Sequence, residues 1–240
     1  MARLYVPPDK LTGNQAVLGQ AEHRHLVKVL RLRPGSIIHL FDGAGVEIDA
    51  CIQSIGKATV EVSLGQRRQI ASPACAVTLL QVIPKGERMD LIVQKTTELG
   101  VNRIVPVLSE HGMVKPPPAR RRRWQTIAAE ASRQSGRADV PAVDEPMELR
   151  SALAHFADSD DSRFVLWEGT CAQSLRQALS SCPVRVVLVV GPEGGFAEQE
   201  VEACHRAAFV PVSLGPRILR TETAAMVAVA LAQAAAGGLD

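Results

Sequence analysis

VRVVLVVGPEGGF (Val184–Phe196) and VPVSLGPRILRTETA (Val210–Ala224) are the stretches whose reading decides the fold. Each opens as a short β-branched apolar run, the mark of a fully buried strand, and breaks at glycine and proline into a loop that leads toward a helix. Two such strands deliver two glycine-bearing loops to one edge of a sheet. In an open α/β sheet that carboxyl edge is where ligands bind.

The helix after the first loop narrows the chemistry of that loop. A phosphate is held by bare amide groups at a helix start, yet this helix opens AEQEVE, with Glu198, Glu200 and Glu202 early in its course. Those carboxylates satisfy the dipole themselves. The spacing of Gly191, Pro192, Glu193, Gly194 and Gly195 fits neither a P-loop nor a G-x-G-x-x-G fingerprint, so a neutral or cationic ligand is expected. The second loop sets Arg217 and Arg220 beside Glu222, and either Thr221 or Thr223 is placed to cap the Ala-rich helix after it.

Together, GPEGGF and LGPRILRTETA resemble the paired signature loops of the SPOUT methyltransferases, and more narrowly the bacterial 16S rRNA uridine-N3 methyltransferase family, ribosomal RNA small subunit methyltransferase E. The resemblance implies a deep trefoil knot whose loops hold S-adenosylmethionine, a homodimer, and 16S rRNA, within the small ribosomal subunit, as partner. It assigns the cofactor to Gly191–Gly195 and to Leu214, Gly215, Ile218, Leu219, Arg220 and Thr223. A third lining loop comes from LWEGT, with Leu166, Trp167 and Glu168. The indole of Trp167 is read as core packing before cofactor stacking.

The rest of the chain sets bounds. At 240 residues and 46% hydrophobic, it can hold two modest cores. Its formal charge of +2 gives no polycationic character, so contact with nucleic acid has to rest on local basic patches. Five cysteines, odd in number and never spaced C-x-x-C, fit a reducing compartment and read as small buried hydrophobes. MARLYVPPDK reads as a short strand with no export signal, and the Ala-rich run from Ala224 falls short of a membrane span. A cytoplasmic protein without metal or membrane contact is expected.

Residues 1–70 read as a small β-barrel. Ser36–Phe41, Val46–Ile55 and Ala58–Leu64 are strand-like, Asp42–Gly45 is a turn, and Glu22–Leu30 is a helical pattern with Leu26, Val29 and Leu30 on one face. HLVKVLRLRPGSIIHLFDG (His25–Gly43) resembles the family's PUA-like RNA-binding domain. Arg3, Arg24, Lys28, Arg31 and Arg33 are candidates for positioning phosphates. His23 and His25, two apart on a helix, point away from each other and are not read as metal ligands.

Gln66–Pro73 is polar, basic and ends in proline, hence a linker, and the SPOUT-type α/β domain is expected over 74–240. There Ala76–Ile83 and Asn102–Leu108 read as strands around the helix Glu87–Leu99, which Gly100 ends. On that helix Asp90, Gln94 and Thr97 or Glu98 share the polar side and Met89, Ile92, Val93 and Thr96 the other. PKGERMDLIVQKTTELGV (Pro84–Val101) matches a family segment and carries Lys85 and Arg88. Met113–Pro118 reads as a turn, and the Arg120–Arg123 block as a solvated face or an RNA contact. EASRQSGR (Glu130–Arg137) resembles the family's EAxxQSxR segment, which adds Arg133, Gln134 and Arg137.

The function implied is methylation of uridine N3. Its N3 proton must leave first, which assigns Arg220 to stabilising the uracil anion and Gln134 or Arg137, of this chain or of the partner subunit, to positioning the base. Glu222 or water takes the proton, or Glu222 only orients Arg220. Two other readings stand beside it: a non-catalytic ribosome-associated RNA-binding protein, and a SPOUT sibling acting on ribose 2′-hydroxyl or guanine N1.

Overall fold

The computed structural model describes residues 2–71, 75–112, 116–157 and 159–239. It forms two compact units, Met1–Ser72 with Ser132–Val140, and Pro73–Ala131 with Pro141–Asp240. The division is not purely sequential, because the end of one long helix folds with the first unit.

In the first unit, β1 (Ala2–Tyr5), β2 (Gln15–Leu18), β3 (Ile37–Phe41), β4 (Val46–Ile55) and β5 (Val60–Gln69) form a mixed sheet ordered β1-β3-β4-β5-β2. Only β1 and β3 run parallel. Alternation sends Ile38, Leu40, Ile48, Ala50, Ile52, Val60 and Val62 into one core, all buried. Register shifts between Ile48 and Ala50 and between Ile52 and Ser54 bend the long β4–β5 ribbon around that core.

Two expectations fail here for physical reasons. The helical pattern at Glu22–Leu30 is a single turn, α1 (Gln20–His23), continued by a π-helix over Arg24–Val29, with the Leu30 amide bonded to the His25 carbonyl at 3.0 Å. A five-residue bonding step dephases the i, i+3, i+4 stripe. Of Leu26, Val29 and Leu30, Leu26 alone is buried, while Val29 is 62% exposed. The expected linker starts as strand: Arg67 and Arg68 pair with Ile48 and Glu47 in β5, and Arg68 grips both oxygens of Asp49 at 2.7 and 3.0 Å. Basic residues on an exposed strand face look like linker in sequence. Ser72 and Pro73 lie outside the described residues, as do Met113–Lys115 of the proline-rich turn.

The second unit contains β6 (Ala76–Val82), α2 (Arg88–Glu98), β7 (Arg103–Leu108), α3 (Pro118–Ser135), β8 (Ala142–Val143), β9 (Met147–Glu148), α4 (Leu149–Ala157), β10 (Ser162–Leu166), α5 (Leu175–Ala178), β11 (Arg185–Val190), α6 (Glu198–Arg206), β12 (Val210–Val212) and α7 (Thr221–Ala235). The last four residues of α3 belong to the first unit. All the sheet pairings are parallel, in the order β12-β10-β11-β6-β7-β8, with β9 also on β7. Strands covered on both faces read as continuous apolar runs.

Period two divides the two faces. Leu80, Val82, Val105, Val107, Val187 and Val189 pack with Leu149, Leu153 and Phe156 of α4 and Cys204 of α6. On the other face, α7 packs against β6, β11 and α2. From β12 at the sheet edge, the chain therefore returns to the middle of the sheet, against α5 on its way. Gln233 of α7 donates from Nε2 to the carbonyls of Cys75 at 3.1 Å and Gly100 at 2.8 Å, fixing the helix over the start of β6. On α2, Met89, Ile92, Val93 and Thr96 are buried as the pattern requires. Thr97, expected on the polar side, is buried too.

Candidate functional site

The parallel neighbours β12, β10 and β11 end at one edge, so their loops converge. Together they enclose a cavity of about 530 Å³, within the range of small-molecule sites. Leu166, Trp167, Glu168 and Gly169 line it from β10, Gly191–Phe196 from β11, and Val212–Thr221 with Ala224 from β12 and α7. Every residue that the sequence reading placed at a cofactor lies on this wall except Thr223, which is exposed on α7. Helical spacing explains the exception, because Thr221 and Ala224 share the inward face and Thr223 does not.

The glycines act by absence of bulk. A Cβ at Gly191 would stand 3.0 Å from the Phe196 ring, and one at Gly169 would stand 2.5 Å from the Trp167 indole. Trp167 is thereby a half-buried wall of the cavity, folded against its own loop. Gly215, at φ +104°, holds the turn ahead of Pro216 in a region that side-chain-bearing residues avoid. Ile218, assigned to the cofactor together with Leu214 and Leu219, is 81% exposed, while those two are half-buried.

Neither threonine caps α7 with its side chain. The N-cap is Arg220 in extended backbone, and Thr221 is the first helical residue. The Thr221 hydroxyl instead donates to the Gly191 carbonyl at 2.6 Å and accepts from Gln81 Nε2 at 3.0 Å, which joins β6, the first glycine loop and α7. Sequence reasoning missed Gln81. The one signal was a glutamine inside the apolar run AVTLLQV (Ala76–Val82).

The charges sort cleanly. At α6, Glu200 closes the helix start: its Oε2 accepts from the Ala197 amide at 3.0 Å and its Oε1 from the Glu110 amide at 3.0 Å. That end is thus served by a carboxylate, as expected. Glu193 pairs with Arg88 of α2. Arg217 and Arg220 are exposed, and Glu222 is half-buried with its Oε2 enclosed and without a hydrogen-bond partner among the described residues. Lys85 is exposed. Much of the arginine block is paired: Arg121 with Glu145, and Arg123 with Asp90, which also accepts from Trp124 Nε1 at 3.0 Å.

In the first unit, Arg24, Lys28, Arg31 and Arg33 are exposed. Arg3 is committed to Glu47 at 2.5 Å, to the Ser132 carbonyl at 3.2 Å and to the Phe41 ring at 4.3 Å. Arg133 approaches His25 Nε2 at 3.4 Å. Gln134 is exposed beyond it, and Arg137 forks onto Asp139 at 2.5 and 3.1 Å, after Gly136 has ended the helix at φ +81°. Gln134 and Arg137 fold with the first unit, and the cavity with the second.

Residues 71–233 match the family of RNA methyltransferase domains, and residues 18–65 the RNA methyltransferase PUA domain. The ribosomal RNA small subunit methyltransferase E of Synechocystis is 32% identical over 95% of this chain and 76% of its own length. That of Bacillus subtilis is 33% identical over 89% and 87%. Among solved structures, a Legionella pneumophila methyltransferase in complex with SAM superposes with a TM-score of 0.87 at 32% identity, covering 98% of both chains. A ribosomal RNA small subunit methyltransferase E from Neisseria gonorrhoeae bound to S-adenosyl methionine gives 0.85 at 36%, covering 98% of this chain and 97% of its own.

Proposed function

Because the chain belongs to the ribosomal RNA small subunit methyltransferase E family, with a PUA-like domain followed in sequence by a SPOUT-type α/β domain, we propose that it methylates N3 of a specific uridine in 16S rRNA. The coarser activity, S-adenosylmethionine-dependent methylation of small-subunit rRNA, follows from the family. The observation that carries the reading is the convergence of three loops on one cavity of about 530 Å³.

The residues present fit that cofactor. Leu214 and Leu219 give apolar wall, Gly191, Gly194 and Gly195 open the main chain to close approach, and Glu168 and Glu193 put carboxylates at the rim. At α6, the helix that follows the first glycine loop, Glu200 occupies the start that would otherwise attract a phosphate. When bound, S-adenosylmethionine supplies an electrophilic methyl group on a sulfonium.

The chain has to provide the rest. Uridine N3 holds a proton in neutral water, so its lone pair becomes available only as that proton leaves. Arg220, on the cavity wall, is assigned to the negative charge that then develops on O2 and O4. Glu222 or water takes that proton, or Glu222 orients Arg220 beside it; Glu222 is half-buried at the start of α7 and is not among the residues lining the cavity. Gln134, exposed and able to donate and accept at once, is favoured for reading the base over Arg137, whose guanidinium is held by Asp139.

Arg24, Lys28, Arg31, Lys85 and Arg133 are proposed to hold RNA phosphates, while Arg3 and Arg88 act within the protein through Glu47 and Glu193. A homodimer working in the cytoplasm completes the proposal, on the family resemblance. Within the chain, Ala224, Ala225, Ala228 and Ala232 of α7 are buried in a helix packed on its own sheet. No helix among the described residues is long and apolar enough to cross a membrane.

Single-turnover methylation across pH tests the mechanism. The rate should rise with pH, and Arg220→Ala should lose about a hundredfold in rate while keeping cofactor affinity. A flat profile with a near-normal rate in Arg220→Ala removes both the anion and this residue from the mechanism.

A further inference from the structure

We propose that Gln81 and Thr221 are positioning residues that lock the two glycine loops to each other, and that this lock sets the affinity for S-adenosylmethionine. The proposal rests on the reading of the cavity given above. Gln81 is completely buried on the α7-facing side of β6, where its neighbours are Leu79, Leu188 and Val190. Burying an amide in such a place is costly unless its groups are paired.

Its orientation is determined by the backbone. Gln81 Nε2 lies 2.9 Å from the Val82 carbonyl oxygen, a contact that only the nitrogen end of the amide can make favourably. With the amide so fixed, its second N–H points at Thr221 Oγ1 at 3.0 Å. A hydroxyl has one hydrogen, and Thr221 Oγ1 here accepts from Gln81. The remaining partner, the Gly191 carbonyl at 2.6 Å, must then receive that hydrogen.

The direction of the relay is thus set from the sheet outward: Val82 orients Gln81, Gln81 orients Thr221, and Thr221 holds Gly191. The consequence falls on both loops at once. Gly191 is the last residue before Pro192, and Thr221 comes directly after Arg220, so one part-buried hydrogen bond joins the start of the first loop to the end of the second. Both residues line the cavity. Without the bond the loops could open independently, and a ligand would have to order them on binding, which weakens it. Gln81 keeps an enclosed oxygen with no partner among the described residues, an unmet cost that the apolar run around it does not explain and the relay does.

Calorimetry with S-adenosylmethionine on the full chain decides the matter. Thr221→Val keeps the shape and removes both hydrogen bonds of that hydroxyl, and should bind at least about tenfold more weakly. Thr221→Ser should stay within about twofold of wild type, and Gln81→Met should weaken binding by a factor similar to that of Thr221→Val. The double variant should fall no further than the weaker single, because the three groups act in series. In steady state the loss should appear as a raised KM for S-adenosylmethionine with kcat retained at saturation, whereas simple loss of folded protein lowers apparent kcat and leaves KM alone. If Thr221→Val does not fold, Gln81→Met decides by the same two readouts. Wild-type affinity in a folded Thr221→Val or Gln81→Met overturns the lock. Failure of the wild-type chain to bind S-adenosylmethionine overturns the reading of the cavity beneath it.

Discussion

Gly194 lies against His111: a Cβ built on Gly194 would stand 3.3 Å from the His111 Cβ and 3.7 Å from its Cγ. The two are far apart in sequence, and they meet because β7 and β11 each end near this edge of the sheet. Gly194 is not among the glycines with positive φ, so any effect of substitution is steric. Gly194→Leu should displace the first glycine loop from His111 and weaken S-adenosylmethionine binding by at least about tenfold. Gly194→Ala should be tolerated better, since the contact is only a few tenths of an ångström tight. Titration calorimetry reads both, and wild-type affinity in Gly194→Leu would take this loop out of the site.

The chain has two tryptophans, which gives a direct optical test. Trp124 is 1% exposed and bonded to Asp90, while Trp167 lines the cavity. In Trp124→Phe, which should lose about 1 kcal/mol through the missing hydrogen bond, all indole emission comes from Trp167. Adding S-adenosylmethionine should change that emission with saturation at the calorimetric Kd. An unchanged spectrum at saturating ligand would place the ligand away from Trp167.

Cysteine reactivity should follow burial. The Cys204 thiol is pushed up to about 12 by burial, with the Glu200 charge adding to it, and burial also raises Cys75. Native protein at mildly alkaline pH should therefore react with a thiol reagent first at exposed Cys182, while Cys75 and Cys204 react only on unfolding. The sign for stability is set by the same shift. The folded Cys204 keeps its proton to about 12, against an ordinary value of 9.0, so the unfolded chain binds fewer protons between those values and stability falls as pH rises through that window. Equal labelling of all five thiols in native protein would contradict this.

What was legible in sequence was what repeats locally. The apolar run of β11, the alternation of β4 and the Gly100 stop each carry their signal within a few residues, and β4 falls at Val46–Ile55 as read. The Thr221 capping assignment failed because an RTET motif looks the same whether its hydroxyl turns to its own helix or to Gly191, 30 residues away. Gln81 was invisible for the same reason, since its meaning lies in a partner 140 residues on. The π-helix at Arg24–Val29 shows the other limit: an apolar pattern gives period, and one inserted backbone step changes which residue it buries. His111 stood outside both signature loops, so nothing local tied it to Gly194.

The assembly can be read separately from the chemistry. Light scattering at micromolar concentration should give twice the chain mass of 25.7 kDa. A monomer that retains full activity would remove the partner subunit from the proposal and leave the cavity assignment standing.

The central claim concerns the product. Small-subunit rRNA from cells lacking this gene, and from cells regaining it, should be digested and its nucleosides resolved by mass spectrometry with fragmentation. One uridine is expected to gain a base methyl at N3 on restoration of the wild-type gene, and Arg220→Ala is expected to restore little of it. A methyl found instead on a ribose 2′-hydroxyl or on guanine N1, or no methyl at all, would contradict the assignment.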